Sequence, residues 1–451
     1  MVVNEIIGNK RKDNIREHLA KSFPGVSCED LSTNFNRNFA EQVPLLKKQY
    51  KQRYITLKQS YLTNKQQMES TISNSMAILP ISIEEACTII NNTKNTNSPG
   101  IDGFLIRHFK QSRFNSAILI SKIINKIIET ECWPDKLKMQ VLRPIYKKGK
   151  KVDLNNYRPI SLLPVLDKFI EKFFAERIST FLHSVSSLTP NQYGFRKNLS
   201  TSDALKEIND KIAKALNKGR FVGAVLIDLQ KAFDTVNHEK LLDKCSKLGI
   251  RGKIGNIIKS YMQFRKITTK IGNSKSEFES WDTGVPQGSV LGPLLFLIYI
   301  NDITKTSIDV EIFLFADDTF LLAIDADYNE MILKLQKGFN KIEIWCAHND
   351  LFINEHKTQV LNIFSPHKTI HSFKNIFRHE PMCTGNNCET VCFKLAETTE
   401  ATYLGIKIDS NWSYKKHIDS IIKKLKSLMP KLYHLKKIVN KKNNKALPRV
   451  D

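Results

Sequence analysis

Three aspartates are the residues of this chain whose surroundings point most directly to chemistry. Asp228 ends the apolar run 221–227, and Asp317 with Asp318 separates two further apolar runs, 312–316 and 319–323. A carboxylate next to buried strands is costly unless a cation meets it, and adjacent acids repel each other. Hard oxygen donors suit Mg²⁺, which also accepts substrate phosphates as ligands. Two such ions about 3.5–4 Å apart would promote an in-line phosphoryl transfer.

Each acidic position also has an explanation that needs no metal. Asp317 and Asp318 could form a plain hairpin turn, and Asp228 could cap the helix that follows it. Taken alone, either position is more often structural than functional. It is the combination with the motifs described below that favours the metal interpretation.

The elements that position these residues follow from hydrophobic periodicity. The run 221–227 predicts a buried strand, and the two apolar runs around Asp317 and Asp318 predict a hairpin with both acids at its tip. The turn formers in 93–103 predict a loop. On this pattern Asp234 begins a helix rather than binding a metal ion. We predict amphipathic helices over 104–109, 117–130, 166–182 and 233–248.

The chain is strongly basic. Its 451 residues include 69 Lys and Arg against 45 Asp and Glu, a net charge of +24, and 41% hydrophobic residues exclude wholesale disorder. Such a charge favours a polyanion as partner. The last 40 residues, 412–451, contribute +10 of this charge and predict a basic amphipathic helix. Its alternative interpretation is a helix that lies on a membrane surface.

Targeting signals are not visible in the sequence. The longest apolar run, 290–300, holds 11 residues, well short of the roughly 20 that a membrane span needs. The N-terminus has no apolar segment typical of a secretory signal. We therefore expect an intracellular protein, nuclear or cytoplasmic, without membrane insertion.

Three of the eight cysteines lie close together. Cys383, Cys388 and Cys392 fall within ten residues, with His379 just before them. A zinc ion is one explanation, but the spacing fits none of the common zinc-finger patterns. We therefore interpret the segment as a polar surface hairpin or loop. The other cysteines are far apart, as expected of reduced thiols.

Eight short motifs follow one another along the chain. They are Ser98-Pro99-Gly100-Ile101-Asp102-Gly103, 157–163, 192–196, Asp228-Leu229-Gln230-Lys231-Ala232-Phe233-Asp234, 284–296, Phe315-Ala316-Asp317-Asp318, 354–358 and 403–406. In this order they resemble the motifs of reverse transcriptases from non-LTR retrotransposons, the jockey-like group in particular, in which 228–234, 284–296, 315–318 and 354–358 would be motifs A, B, C and D. The resemblance covers about 90–410, and a chance match of eight motifs in order is negligible.

The resemblance implies a two-metal site. Asp228 and Asp317 would hold two Mg²⁺ ions, with Mn²⁺ as an alternative ion, and Asp318 would be a more peripheral ligand. The carbonyl of Leu229 would complete the site. Lys357 would protonate the departing pyrophosphate as a general acid, with a simple salt bridge as the alternative role.

The resemblance also implies how substrates would bind. Lys147 and Arg158 would contact the incoming triphosphate, although from the residues alone 147–151 is a solvated basic turn. Phe233 would stack under the sugar and exclude a 2′-hydroxyl, the alternative being a core side chain of its helix. Gln287 and Gly288 would lie against the nascent base pair. The implied template-binding residues are Ser98, Gly100, Asp102 and Gly103.

The implied fold is α+β, a right-hand polymerase with fingers, an antiparallel-sheet palm and a partial helical thumb. The expected division is an N-terminal helical extension (1–80), fingers (81–220), a palm (221–410) with an inserted finger segment around 237–280, and the start of a basic thumb (411–451). The endonuclease that jockey-like proteins usually carry ahead of the polymerase is not visible, so we expect a truncated copy of an element.

The implied reaction is RNA-directed DNA synthesis, in which a DNA primer 3′-hydroxyl attacks a bound dNTP on an RNA template. Two rivals remain at the level of sequence. One is a degenerate nucleic-acid-binding protein that keeps the fold without the activity. The other is a two-metal nuclease that uses the same acids.

Overall fold

A computed structural model describes residues 15–63, 72–96, 98–364, 374–380, 383 and 392–443. Within these residues, helices and strands are interleaved along the chain. The helices are α1 (Ile15–Ser22), α2 (Cys28–Thr63), α3 (Ile83–Asn92), α4 (Ile106–Gln111), α5 (Arg113–Thr130), α6 (Val165–Ser184), α7 (Thr201–Asn217), α8 (His238–Lys247), α9 (Lys253–Met262), α10 (Leu291–Ile300), α11 (Tyr328–His348) and α12 (Lys415–Asn443).

The strands are short, with none in the described part longer than eight residues. They are β1 (Met139–Tyr146), β2 (Tyr157–Leu162), β3 (Phe221–Ile227), β4 (Leu229–Gln230), β5 (Arg265–Ile271), β6 (Ser274–Lys275), β7 (Glu279–Trp281), β8 (Glu311–Phe315), β9 (Asp318–Asp325), β10 (Phe352–Ile353), β11 (Gln359–Ile363), β12 (Phe377–Arg378), β13 (Phe393–Lys394), β14 (Ala396–Thr398), β15 (Glu400–Tyr403) and β16 (Ile406–Asp409).

One five-stranded sheet carries the three aspartates. Its strand order is β14-β11-β3-β9-β8, and every neighbouring pair is antiparallel except β14 with β11. Helix α11 packs on one face and α7 on the other. Because both faces are covered, β3 can be apolar at every position, which explains its uninterrupted run in the sequence.

Alternate residues of β3 belong to two separate clusters of buried side chains. Val225 and Ile227 face the main core, which also contains α5, α6 and α8–α11. Val222, Ala224 and Leu226 face a smaller core with α7, β11 and β15. This two-residue period is what an extended strand between two helical layers produces. The central strands are thus fixed from both sides.

A second sheet lies earlier in the chain and has the order β2-β1-β5-β6, with β7 paired to β5. β1 and β2 are antiparallel, whereas β1 and β5 are parallel. The parallel pair joins segments more than a hundred residues apart. It adds β5, which follows α9, to the sheet in which the basic turn 147–151 connects β1 and β2. Helix α2 packs against β5 and β7.

The α+β fold class expected from the sequence is confirmed, and most predicted elements are present with ends shifted by a few residues. One local prediction is wrong. The helix expected over 233–248 begins only at His238, since the N-cap is Asn237, whose side chain accepts hydrogen bonds from Glu239 N and Lys240 N at 3.0 and 3.2 Å. Asp234 therefore does not begin a helix.

The last described helix is basic and largely exposed, as the sequence predicts. Among the residues that the structure describes, no helix combines the length and the apolar character that a bilayer crossing requires. The exposed apolar side chains of α12 are Ile418, Ile421, Ile422, Leu425, Leu428, Met429, Leu432 and Tyr433.

Candidate active site

The register of the central strands brings the three aspartates together at the same end of the adjacent strands β3 and β9. Ile227 pairs with Thr319, so Asp228 and Asp318 follow on adjacent strands at the same end. Phe315 pairs with Asp318 across the hairpin, which leaves Ala316 and Asp317 as its two-residue turn. Acids separated by some 90 residues of sequence therefore converge in space.

The acids are electrostatically coupled. Burial raises the pKa of Asp317, and the charge of Asp228 adds to the rise, while Arg158 opposes it. Partial burial, together with the carboxylates of Asp317 and Asp228, raises the pKa of Asp318 to about 6, although its side chain keeps solvent contact. The raised pKa values mean that burial and mutual repulsion disfavour the ionised forms of these carboxylates. The site favours additional positive charge.

The backbone after Asp228 offers a further oxygen. Asn354 N donates to the Asp228 carbonyl at 2.8 Å, and the next pair in this antiparallel ladder joins Ile353 to Leu229. Since hydrogen-bonded and non-hydrogen-bonded pairs alternate, the Leu229 carbonyl is directed away from β10. Leu229 also lines the cavity at the acids, so its carbonyl can act as a ligand there.

The hairpin turn is held by a buried glutamine that the sequence did not single out. Gln192 Oε1 accepts hydrogen bonds from Ala316 N at 3.0 Å and Gly194 N at 2.8 Å, and its Nε2 donates to the Ala316 carbonyl at 3.4 Å. Ala316 has φ +57°, a conformation that alanine rarely adopts. A Cβ on Gly194 would lie 2.4 Å from Ala316 N. Gln192 and Gly194 together thus fix the turn that presents Asp317.

A cavity of about 400 Å³ opens in front of Asp228 and Asp317. Cations from three separate elements line it: Lys147, Arg158 and Lys357. Lys357 Nζ lies 3.9 Å from Asp228 Oδ2. Partial burial, and then the neighbouring Arg158, lower the pKa of Lys147. Acids on one wall and cations on the others suit a ligand that combines phosphate with metal ions.

Two phenylalanine rings form the apolar part of the cavity wall. Phe233 stacks on Phe296 with centroids 4.4 Å apart and rings inclined at 17°, and it meets Phe195 edge-on at 6.1 Å. Phe195 is 58% exposed and has φ +55°. Phe233 is therefore both packed from behind and presented to the cavity.

Motif B is anchored in the cavity wall by Asp234. Gln287 Nε2 donates to Asp234 Oδ1 at 2.8 Å. Asp234 is 3% exposed, and burial raises its pKa to about 6 although Lys231 opposes the shift. The expected helix start is thus a buried acid that orients Gln287 in the cavity wall.

Gly288 is required by a close approach between two backbones. It has φ +110°, and a Cβ at this position would lie 2.8 Å from the Ser161 carbonyl oxygen. Ser161 N in turn donates to the Gln287 carbonyl at 2.7 Å. Glycine therefore lets motif B lie against β2, which carries Arg158.

The four residues expected to contact template lie in a separate loop. Asp102 Oδ2 accepts from Val165 N at 3.1 Å and so caps α6. A Cβ on Gly100 would lie 2.3 Å from the Leu163 carbonyl oxygen, and Gly103 has φ +71°. None of these residues, nor Ser98, lines the 400 Å³ cavity. The loop is thus tightly fixed against the start of α6, outside the acidic site.

Most of the chain is similar in sequence to known proteins. Residues 145–408 match the family described as Reverse transcriptase (RNA-dependent DNA polymerase). The chain is 29% identical over 388 residues to the probable RNA-directed DNA polymerase from transposon BS of Drosophila melanogaster, which is 84% of this chain and 41% of that protein. It is 28% identical over 370 residues to the RNA-directed DNA polymerase from mobile element jockey of Drosophila funebris, 80% of this chain and 39% of that protein. The chain spans about two fifths of the length of these relatives.

Proposed function

Because the chain belongs to the reverse transcriptase (RNA-dependent DNA polymerase) family, we propose that it is an RNA-directed DNA polymerase of a non-LTR, jockey-like retrotransposon. It extends the 3′-hydroxyl of a DNA primer with dNTPs on an RNA template, as a nucleotidyltransferase. The observation that carries this proposal is the convergence of Asp228, Asp317 and Asp318 at one end of the central strands. They meet there beside a cavity that is lined by cations.

The donor set fits divalent metal ions, which reverse transcriptases generally use. It consists of carboxylates and one backbone carbonyl, all hard oxygen donors, and burial together with mutual repulsion disfavours the ionised carboxylates unless a cation meets them. We assign two Mg²⁺ ions, with Mn²⁺ as an alternative, to Asp228, Asp317 and the Leu229 carbonyl, with Asp318 as a peripheral ligand. When bound, such ions stabilise the attacking and leaving oxygens of phosphoryl transfer.

The cations of the cavity have distinct roles in this proposal. Arg158 and Lys147 bind the triphosphate, the guanidinium through paired hydrogen bonds and the ammonium as a point charge. Lys357 delivers a proton to the departing pyrophosphate. Its ammonium lies 3.9 Å from Asp228 Oδ2, so the same side chain also balances the charge of the acid.

The apolar and amide groups orient the nucleotide. Phe233, held by the ring of Phe296, lies under the sugar and excludes a 2′-hydroxyl. Gln287, oriented by Asp234, and Gly288 lie against the nascent base pair. Most of the rate enhancement then comes from positioning and from charge neutralisation.

Template contact and domain organisation are extensions of the same proposal. Ser98, Gly100, Asp102 and Gly103 contact the RNA template from the rigid loop before α4. Residues 1–80 form a helical extension, 81–220 the fingers, 221–410 the palm and 411–451 the start of a basic thumb. In support, the segment around 237–280 supplies β5 to the sheet of β1 and β2, as an inserted finger segment requires.

Primer extension tests the proposal directly. A labelled DNA primer annealed to an RNA template is incubated with the chain, dNTPs and Mg²⁺. Lengthening of the primer is the expected result. Shortening would instead indicate the two-metal nuclease, and binding without either reaction would indicate a nucleic-acid-binding protein that has lost activity. Either of these two results contradicts the proposal.

A matched pair of variants tests the site itself. Asp317→Ala removes an acid at the hairpin turn and should abolish extension while template binding stays close to that of the unchanged chain. Asp325→Ala is the control, because Asp325 ends the same strand β9 at the far side and pairs with Lys334 at 2.6 Å. Extension that survives in Asp317→Ala would refute the role of this acid.

A further inference from the structure

Three potential metal ligands outside the polymerase site converge beside the small hairpin of β12 and β13. Arg378 pairs with Phe393, which puts His379 opposite Cys392 just beyond the two strands. Cys392 Sγ lies 3.5 Å from His379 Nδ1. Cys383 turns back towards them, with its N donating to the Glu380 carbonyl at 2.9 Å. The ligand atoms of all three side chains lie within 4.8 Å of one another.

We propose that His379, Cys383 and Cys392 bind a structural Zn²⁺ ion. Two thiolates and an imidazole are soft to borderline donors that select zinc over Mg²⁺. In a tetrahedral site with Zn–S near 2.3 Å and Zn–N near 2.0 Å, sulfur and nitrogen ligand atoms are about 3.5 Å apart. The observed 3.5 Å between Cys392 Sγ and His379 Nδ1 matches this value. Cys388 lies outside the described residues, and the assignment rests on the other three ligands.

The surroundings of the three ligands support a metal site. Glu380 N donates to Cys392 Sγ at 3.4 Å, a contact that favours the thiolate form which zinc requires. Arg53 of α2 fixes the backbone beside the imidazole by donating to the His379 carbonyl at 2.5 Å. All three ligands are half-buried, so an ion can reach them from solvent.

The ion would act on a very short hairpin. Each strand has two residues, so the strands share few ladder hydrogen bonds, and the hairpin depends on contacts outside itself such as those of Gln336 with Phe377. A zinc ion bound at the open end of the ladder would close the segment between β12 and β13 and hold the strands in register. The proposed role of the ion is therefore structural.

The hairpin also contacts the loop that carries Lys357. Arg378 is 2% exposed; it donates from Nε to Glu343 Oε1 at 2.6 Å and from Nη1 to Glu355. The ring of Phe393 meets that of His356 edge-on at 5.2 Å. Zinc at His379 and Cys392, one residue from each of these contacts, would thus stabilise the loop at 354–358 from behind.

The metal content of the whole purified chain tests the proposal. Tag-free protein, dialysed against metal-free buffer, should retain about one zinc per chain by mass spectrometry of the metals. His379→Asn, Cys383→Ser and Cys392→Ser should each lower the zinc content about tenfold or more. Cys132→Ser, which removes an exposed thiol elsewhere, is the matched control and should leave it unchanged.

A spectroscopic measurement on the unchanged chain covers the case in which a variant fails to fold. Replacement of zinc by Co²⁺ should give thiolate-to-cobalt charge-transfer bands and the visible bands of tetrahedral cobalt. Chelation should remove the bands and lower the melting temperature. Trace zinc with no thiolate–cobalt bands would overturn the proposal, as would an unchanged zinc content in Cys383→Ser and Cys392→Ser.

Discussion

Replacing Gln192 tests whether the hairpin turn at Ala316 and Asp317 depends on the hydrogen bonds of this buried amide, which we call the clamp. Gln192→Met keeps the length of an unbranched side chain but removes its amide. The change leaves Ala316 N and Gly194 N without the acceptor that they share at 3.0 and 2.8 Å. Both amides lie in a buried part of the site, so each unpaired group costs about 1–3 kcal/mol.

The size of the effect on catalysis follows from the strain in the turn. A non-glycine residue at positive φ, such as Ala316 at +57°, costs of order 1–3 kcal/mol and persists only where its surroundings enforce it. Without the clamp the turn can relax and move Asp317. Because each 1.4 kcal/mol is about a tenfold change in rate, we expect the single-turnover extension rate to fall about 10- to 100-fold. Template affinity should change little.

A rescue variant separates this explanation from a general loss of stability. Ala316→Gly removes the penalty of positive φ, so in the Gln192→Met background it should recover part of the lost rate. Single-turnover primer extension at saturating dNTP, with thermal unfolding in parallel, measures both quantities. An unchanged rate in Gln192→Met, or a double variant no faster than the single one, would refute the argument.

Three further perturbations concern the sugar, the pH and the salt. Phe233→Val should lower the preference for dNTPs over ribonucleotides by roughly 10- to 200-fold, measured as a ratio of kcat/KM. Asp234→Asn should stabilise the chain by about 3 kcal/mol at pH 7, because burial raises the pKa of Asp234 from 3.8 to about 6. The native state binds the Asp234 proton more tightly than the unfolded state. The destabilisation by the ionised carboxyl is therefore complete above pH 6 and disappears as the pH falls towards 4. Denaturant unfolding at several pH values measures this change in the free energy of unfolding. Replacing Lys423, Lys424 and Lys426 of α12 by serine should weaken the salt dependence of template–primer binding. The slope of the logarithm of the binding constant against the logarithm of the salt concentration should become shallower by about 0.7–0.9 for each phosphate contact that is lost.

Each of these has a control in the chain. Phe173→Leu removes a buried ring of α6 that does not line the cavity, so it should lower stability and leave sugar discrimination unchanged. Asp243→Asn changes an exposed acid that pairs with Lys247 at 2.7 Å and should not stabilise the chain at pH 7. Lys334→Ser, on α11, should leave the salt slope as it is. Equal effects in variant and control would contradict the corresponding prediction.

The strands and the acids could be predicted from the sequence because their signals are local, whereas the fold class followed from the resemblance to reverse transcriptases. The apolar run of β3 matches its observed bounds of Phe221–Ile227, and the hairpin around Asp317 needed only two apolar runs and a turn. Motif order then supplied the pairing of strands remote in the chain, which periodicity alone cannot provide. The outcome is an α+β chain whose three acids meet.

The roles of the supporting residues could not be predicted from the sequence, since they depend on contacts between distant segments. Gln192 is 124 residues from Ala316 in sequence, and Asp234 is 53 residues from Gln287. Asp234 follows a turn and precedes an amphipathic segment, so helix capping was the local explanation. Only its burial, and the amide of Gln287, identify it as an anchor. For His379 and Cys392 the sequence indicated a hairpin or loop and left zinc as one explanation, but only the strand pairing puts the two residues opposite each other.

Three groups of the proposed site are thus held by buried partners. Gln192 holds the turn of Asp317, Asp234 holds Gln287, and Arg378 bonds Glu355, two residues before Lys357. Such supports act on the position of a group and not on its chemistry. Changes in them should therefore lower the extension rate by one or two orders of magnitude, whereas removal of Asp317 itself should abolish extension. This graded response distinguishes a site built by long-range packing from one whose residues act independently.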